Sequence, residues 1–150
     1  MRRKEREIKD KKDIEQILKE SSILRLAMVD DDKPYIVPMN FGYRDGALYL
    51  HSAPEGRKID LIKKNPNVCF EVDEIVHFRK AKLACDWGVE YKSVIGSGKA
   101  IFLHSLDEKR QAFHIIMAQY SDREFEYPDE MLEKTIAIKI EIEEMTGKKS

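Results

Sequence analysis

The sequence is poor in cysteine and has no long apolar run. Its two cysteines, Cys69 and Cys85, form no CxxC pair, so the spacing supports neither a disulfide scaffold nor a cysteine-based zinc site, and we expect free thiols. The N-terminal stretch MRRKEREIKDKKD is charged throughout and is followed by no segment apolar enough for a signal peptide or a membrane span. These absences predict a cytoplasmic protein.

An excess of charge of either sign is also lacking. Lysine and arginine number 27 against 28 acidic residues, a net charge of −1, which gives no general attraction to nucleic acid or to an anionic membrane. The four histidines show no metal-ligand spacing, so we expect no metal site. The chain is 42% hydrophobic and 37% charged over 150 residues, which predicts one folded domain spanning 1–150.

Short strands dominate the pattern of apolar residues. Strands are predicted over 23–29, 35–43, 47–51, 68–72, 93–104 and 135–142, and short helices over 11–20, 56–64 and 107–120. Asp45-Gly46 fits a tight hairpin turn, and Gly96 and Gly98 fit a bulge or the close approach of another backbone. The segment 73–92 has no clear pattern. Antiparallel strands joined by tight turns predict a mainly β fold, a closed or partly closed β-barrel with a few short helices.

A strand end, a small-residue loop and a helix start follow one another between His51 and Lys58. Unpaired N–H groups at a helix start attract anions, and Ser52 with Arg57 or Lys58 would add a hydroxyl and charge-assisted bonds. The residues leave two interpretations open, a phosphate site or ordinary solvated cations. His51 has an ordinary pKa near neutrality, so it is either the candidate catalytic residue or a strand-end histidine bonded to backbone.

Two further segments are candidates to border a flat ligand. Pro38 cannot donate a ladder hydrogen bond, so 37–40 should lie at a sheet edge or a bulge, where unpaired backbone groups could bind a planar ring. A plain edge strand would show the same pattern. Trp87 and Tyr91 precede a strand, and they would either flank such a ring or cap the core.

Four motifs, taken in order, resemble a known family. They are IVPMNF at 36–41, LYLHSA at 48–53 with GRK at 56–58, NPNVCF at 65–70 and YKSV at 91–94. Over 14–142 the chain resembles the 5-nitroimidazole resistance branch of the pyridoxamine 5′-phosphate oxidase-related flavoproteins, and the ordered set is more specific than any one motif. The resemblance implies an antiparallel FMN-binding split β-barrel. It also implies a homodimer with two FMN molecules at the interface, each contacted by both chains.

The resemblance further implies a set of site residues. Val37, Pro38, Met39 and Asn40 would lie along the isoalloxazine, and His51 would handle substrate or protons as the catalytic residue. The other cofactor-binding residues that it implies are His51, Ser52, Ala53, Arg57, Lys58, Tyr91, Ser93 and Val94.

The implied function is an FMN-dependent oxidoreductase that reduces small molecules, with nitroaromatic compounds as candidate acceptors and NAD(P)H as candidate donor. Residues 143–150, EEMTGKKS, differ from the C-terminal basic motif of pyridoxamine-phosphate oxidase itself, which argues against vitamin B6 oxidation. Two alternatives use the same barrel. One is a non-enzymatic flavin or haem binding or redox-sensing module, and the other is a deazaflavin-dependent reductase.

Overall fold

The structure, a computed structural model, describes residues 3–150 and consists mainly of antiparallel strands. Strands in this range are β1 (Glu7–Ile8), β2 (Leu24–Asp30), β3 (Lys33–Met39), β4 (Gly42–Arg44), β5 (Ala47–Ser52), β6 (Asn67–Arg79), β7 (Gly88–Leu103) and β8 (Ile136–Lys149). The α-helices there are α1 (Lys11–Glu20), α2 (Arg57–Lys64), α3 (Leu106–Ala118) and α4 (Asp129–Glu133). The predicted mainly β fold with a few short helices is confirmed.

The order of the strands shows how the sheet curls into a barrel. Neighbours pair in the order β3-β2-β6-β7-β8-β5-β4, with β1 added on β8. The strands at the two ends of this order, β3 and β4, are joined by only Asn40 and Phe41, so the chain brings the two edges together. The predicted single strand over 35–43 is therefore wrong, because the chain leaves one edge and enters the other at 40–41. Phe41 is fully buried at this corner.

β3 lies at one edge of the sheet, where a strand can contain a proline such as Pro38. Pro38 lies opposite Arg25 on β2, and β3 has no second neighbour among the described residues. At the corner that follows, the Phe41 N–H donates to the Tyr120 hydroxyl at 2.9 Å, and that hydroxyl donates to the Ser22 carbonyl at 2.8 Å. A side chain from the segment just after α3 thus satisfies the backbone where the ladder stops.

Local signals account for the helices and turns. Helix α1 spans the predicted 11–20, begins where the Asp10 carboxylate accepts from the Lys12 N–H at 2.9 Å, and buries its apolar face. Helix α3 begins with a capping box between Ser105 and Glu108. Asp45 and Gly46 have φ values of 50° and 77°, the two positive angles that the predicted tight hairpin needs.

The predicted close approach at the β7 glycines is also confirmed. The register of β7 against β8 shifts between Ser97 and Gly98, which marks an irregularity in the ladder. A Cβ atom at Gly98 would overlap the Glu141 carbonyl, and one at Gly96 would overlap the Phe70 ring. Glycine at both positions lets the strands and the core pack closely.

The segment 73–92, which showed no clear sequence pattern, forms the far end of a long hairpin. Residues 75–79 of β6 and 88–91 of β7 form strand pairs only with each other within the described part of the chain, because β8 first pairs with β7 at Lys92. Beyond this ladder, Ser150 donates hydrogen bonds to the Tyr91 and Val89 carbonyls. We call residues 75–91 the arm. It is a two-stranded ribbon, closed by a connecting segment at 80–87 that includes a short 3-10 helix (Ala84–Asp86), and it extends beyond the rest of the sheet.

Cys69 and Cys85 are free thiols, as predicted, and both are exposed. Within residues 3–150 no helix combines the length and apolar character needed to cross a membrane. In the same range no three histidine, cysteine or acidic side chains lie close enough together to hold a metal ion.

Candidate functional site

The first backbone N–H groups of α2 have no acceptor in the described chain. β5 ends at Ser52 and α2 begins at Arg57, and Gly56 between them has a φ of 129°, which side chains strongly disfavour. Glycine offers no side-chain oxygen to cap the helix. The first backbone N–H in α2 with an acceptor in the described chain is that of Ile59, so those of Arg57 and Lys58 are available to a ligand.

Ser52 places an unsatisfied hydroxyl next to this loop. The residue is only 5% exposed, and its Oγ has no hydrogen-bond partner within residues 3–150. Buried hydroxyls are nearly always hydrogen-bonded, because an unpaired one costs about 1–3 kcal/mol. The exposed Ala53 follows directly, so a polar ligand group that enters the loop meets little side-chain obstruction.

Arg57 is held in place by two residues that sequence reasoning missed. Its Nε and Nη2 donate to the same Asp30 oxygen, Oδ2, at 3.2 and 2.8 Å. Its guanidinium also lies over the Tyr35 ring, 4.4 Å from the centroid. Asp30 lies between the predicted strands 23–29 and 35–43, and Tyr35 begins the second of them. Both are far from Arg57 along the chain, so the sequence carries no local signal for either contact.

Lys58 is a half-buried cation with a poor partner. Its Nζ lies 3.3 Å from the Met39 thioether sulfur, a weak acceptor, and no carboxylate lies within 4.0 Å of it in the described structure. Burial lowers the pKa of Lys58. The contact joins the first turn of α2 to the end of β3, and it leaves the ammonium able to bind an anion.

His51 lies beside these residues and packs against α3. Its ring centroid is 5.4 Å from that of Phe113, which in turn is 5.9 Å from the Tyr127 ring. Burial lowers the pKa of His51, and the nearby charge of Lys58 lowers it further. Part of the His51 side chain is still exposed. A neutral imidazole is thus favoured near neutral pH. The aromatic neighbours were missed because they lie far along the chain.

Side chains at the end of β3 alternate between the core and the solvent. Val37 and Met39 point into the core, where Met39 is 8% exposed, whereas Pro38 and Asn40 are exposed. A flat ligand on the outside of β3 would therefore meet Pro38, Asn40 and the unpaired backbone edge. Val37 would contribute its backbone.

Comparison with known proteins identifies the family of the chain. The family model described as pyridoxamine 5′-phosphate oxidase matches residues 10–149. The chain belongs to this family. The predicted resemblance is confirmed, and the split β-barrel that it implies agrees with the sheet order.

Two solved structures and one curated sequence illustrate the family. A candidate 5-nitroimidazole antibiotic resistance protein from Bacteroides thetaiotaomicron is 36% identical, with a TM-score of 0.85 over 95% of this chain and 85% of that chain. A FAD-binding protein from Mesorhizobium loti is 27% identical, with a TM-score of 0.72 over 97% of both chains. The uncharacterised protein RA0666 of Rhizobium meliloti is 35% identical over 77 residues, which are 51% of this chain and only 44% of that relative.

Three other predicted cofactor residues, Tyr91, Ser93 and Val94, lie on β7. Ser93 lies opposite Asp73, and Val94 is fully buried, so it could offer a ligand only its backbone. The neighbouring Lys148 ammonium lowers the pKa of Tyr91. From β3 to β7 there are three strand spacings, about 14 Å along the sheet.

The predicted site thus forms two groups within one chain. The α2 group consists of Met39, His51, Ser52, Arg57 and Lys58, and the β7 group consists of Tyr91, Ser93 and Val94. No hydrogen bond or salt bridge found among residues 3–150 joins the two groups.

Proposed function

We propose that this protein binds FMN at the start of α2 and uses it to reduce small molecules, with nitroaromatic compounds among the acceptors and NAD(P)H as donor. The proposal rests on the buried Ser52 hydroxyl, which has no hydrogen-bond partner in the described chain. It lies beside a helix start whose first backbone N–H groups are unpaired within the same residues. A phosphate monoester has several acceptor oxygens and a negative charge, which match the hydroxyl, the free N–H groups, Arg57 and Lys58.

The α2 group and the neighbouring edge of β3 have separate tasks in this proposal. Arg57 and Lys58 neutralise the phosphate, and the exposed edge of β3 at Pro38 and Asn40 borders the flavin ring. When bound, FMN supplies hydride and electron transfer. His51 packs against Phe113, and its lowered pKa favours the neutral imidazole, which can hydrogen-bond the substrate. Once it has taken up a proton, the imidazolium can pass that proton to the substrate.

The solved relatives support a flavin cofactor. One solved relative is named for FAD binding and another for 5-nitroimidazole resistance. FMN is proposed here because the α2 group offers one compact anion site, which suits a cofactor that ends in a single phosphate. A haem or flavin carrier and a deazaflavin-dependent reductase are the competing functions on the same barrel.

We further infer that the protein is a homodimer in which the arm packs on the second copy. Isolated two-stranded ribbons are marginally stable in water, and here Val76, Phe78, Leu83 and Trp87 are each more than half exposed. Covering these side chains with a second chain would remove them from water. It would also bring the β7 group of one chain towards the α2 group of the other, so that the two together complete one cofactor site.

Sedimentation velocity tests the dimer. The wild-type protein should sediment at twice the mass of one chain, and Phe78→Ser with Leu83→Ser should shift it to the monomer. Glu74→Ser, an exposed change just before the arm, is the control and should leave the dimer intact. A monomeric wild type would contradict the proposed partner.

Cofactor identity is the first test of the function itself. The absorbance spectrum of the purified protein and the mass of the heat-released cofactor should show FMN, and NADH or NADPH oxidation should then be coupled to reduction of a 5-nitroimidazole. A Soret band, a deazaflavin mass, or no uptake of added FMN would refute FMN binding.

Variants then test the residue roles. Arg57→Ala with Lys58→Ala should weaken FMN binding, and unchanged FMN affinity would remove both residues from the phosphate site. His51→Ala should keep FMN bound yet slow turnover. Equal turnover would remove His51 from the reaction.

A further inference from the structure

We infer that Asp30 and Tyr35 are positioning residues that hold Arg57 ready for the phosphate of the cofactor. The inference rests on the proposed function, because it assigns roles within the same site. Asp30 ends β2 and Tyr35 lies on β3, so the two adjacent strands that pair beside α2 supply both contacts.

The geometry leaves one edge of the guanidinium open. A single oxygen, Asp30 Oδ2, receives both Nε and Nη2, and Nη1 has no acceptor within the described chain. The Tyr35 ring, whose centroid lies 4.4 Å from Arg57 Cζ, covers one face of the group and restricts its movement. The open edge therefore has a defined direction before any ligand arrives, although the Arg57 side chain is 54% exposed.

Such positioning lowers the entropic cost of binding. A free arginine side chain loses rotamer freedom when it contacts a ligand, whereas one already held by a carboxylate and an aromatic ring loses less. Removing Asp30 should therefore weaken phosphate binding, even though a nearby carboxylate repels an anion. Positioning and simple charge repulsion predict opposite signs for the same variant, so measured affinities separate them.

The experiment compares FMN with riboflavin, which is the same flavin without its phosphate. Dissociation constants are measured by fluorescence titration of the cofactor-free protein for the wild type, Asp30→Ala, Tyr35→Leu, Arg57→Ala and Asp30→Ala with Arg57→Ala. Tyr35→Phe is the matched control, because it keeps the ring beneath the guanidinium.

We expect Asp30→Ala and Tyr35→Leu each to weaken FMN binding by about 3- to 10-fold, the range of a partly exposed ion pair or cation–π contact. Riboflavin affinity should not change, and Tyr35→Phe should match the wild type. In the Arg57→Ala background, Asp30→Ala should cause no further loss, because its effect passes through Arg57.

Three results would overturn the inference while leaving FMN binding in place. They are tighter FMN binding by Asp30→Ala, equal losses for FMN and riboflavin, and a loss from Asp30→Ala that persists without Arg57. A wild-type protein that binds neither flavin would instead refute the proposed function itself.

Discussion

Lys58 is the residue at which folding stability and cofactor binding should respond in opposite directions. Its ammonium is half-buried, meets only the Met39 sulfur at 3.3 Å, and lies in the first turn of α2, where the helix dipole disfavours a cation. Burial lowers its pKa, so the folded environment opposes the charged form. Lys58→Met replaces the charge with an apolar chain of similar length.

The expected magnitudes follow from these contacts. Relief from the dipole and from partial burial should leave the free energy of unfolding of the cofactor-free protein unchanged or raise it by up to about 1 kcal/mol. A hydrogen bond to a charged group contributes about 1.5–3 kcal/mol, so loss of the phosphate contact should weaken FMN binding by about 10- to 150-fold.

Urea unfolding of the cofactor-free protein and titration with FMN measure the two effects. Lys63→Met is the control, because Lys63 is an exposed cation in the last turn of the same helix, where the dipole favours positive charge. It should lose a few tenths of a kcal/mol of stability and keep its FMN affinity. A Lys58→Met protein with wild-type FMN affinity and lower stability would show that Lys58 serves the fold.

Three other changes test separate parts of the structure. Ser52→Ala removes an unsatisfied buried hydroxyl, so urea unfolding should show a gain of about 1 kcal/mol without cofactor, and titration should show weaker FMN binding. Burial lowers the pKa of His51 below 6.5, so the unfolded chain binds more protons between that pKa and 6.5, and stability should fall as pH drops through this window. His51→Gln should flatten the decline, and an unchanged pH profile would contradict the assignment. Gly98→Ala forces a Cβ against the Glu141 carbonyl and should lower the free energy of unfolding by about 1–3 kcal/mol in urea.

Much of the fold could be predicted because its signals are local. Helix α1, the Asp45-Gly46 turn and the close approach at Gly98 depend on residues near one another in the chain or on a single backbone requirement. The break at 40–41 could not be predicted in this way. Alternating apolar residues continue through it, and only the meeting of the two sheet edges determines that the chain turns there.

The arm shows a second limit of local patterns. Its apolar side chains are exposed in the single chain, so residues 75–91 lack the one-sided alternation that marks a strand with one face on a core. The strand conformation of residues 75–79 and 88–91 depends on the pairing of β6 with β7 on either side of the connecting segment 80–87.

The sequence alone determined the family, the mainly β fold and the helix start with its serine and two cations, because each is encoded by neighbouring residues in a recognisable order. Only the tertiary structure determined that Lys58 faces a thioether, that Asp30 and Tyr35 hold Arg57, and that Phe113 packs on His51. It also separated the α2 and β7 groups. The reason is physical: these contacts join residues far apart in the chain, and the curvature and register of the sheet decide which side chains meet.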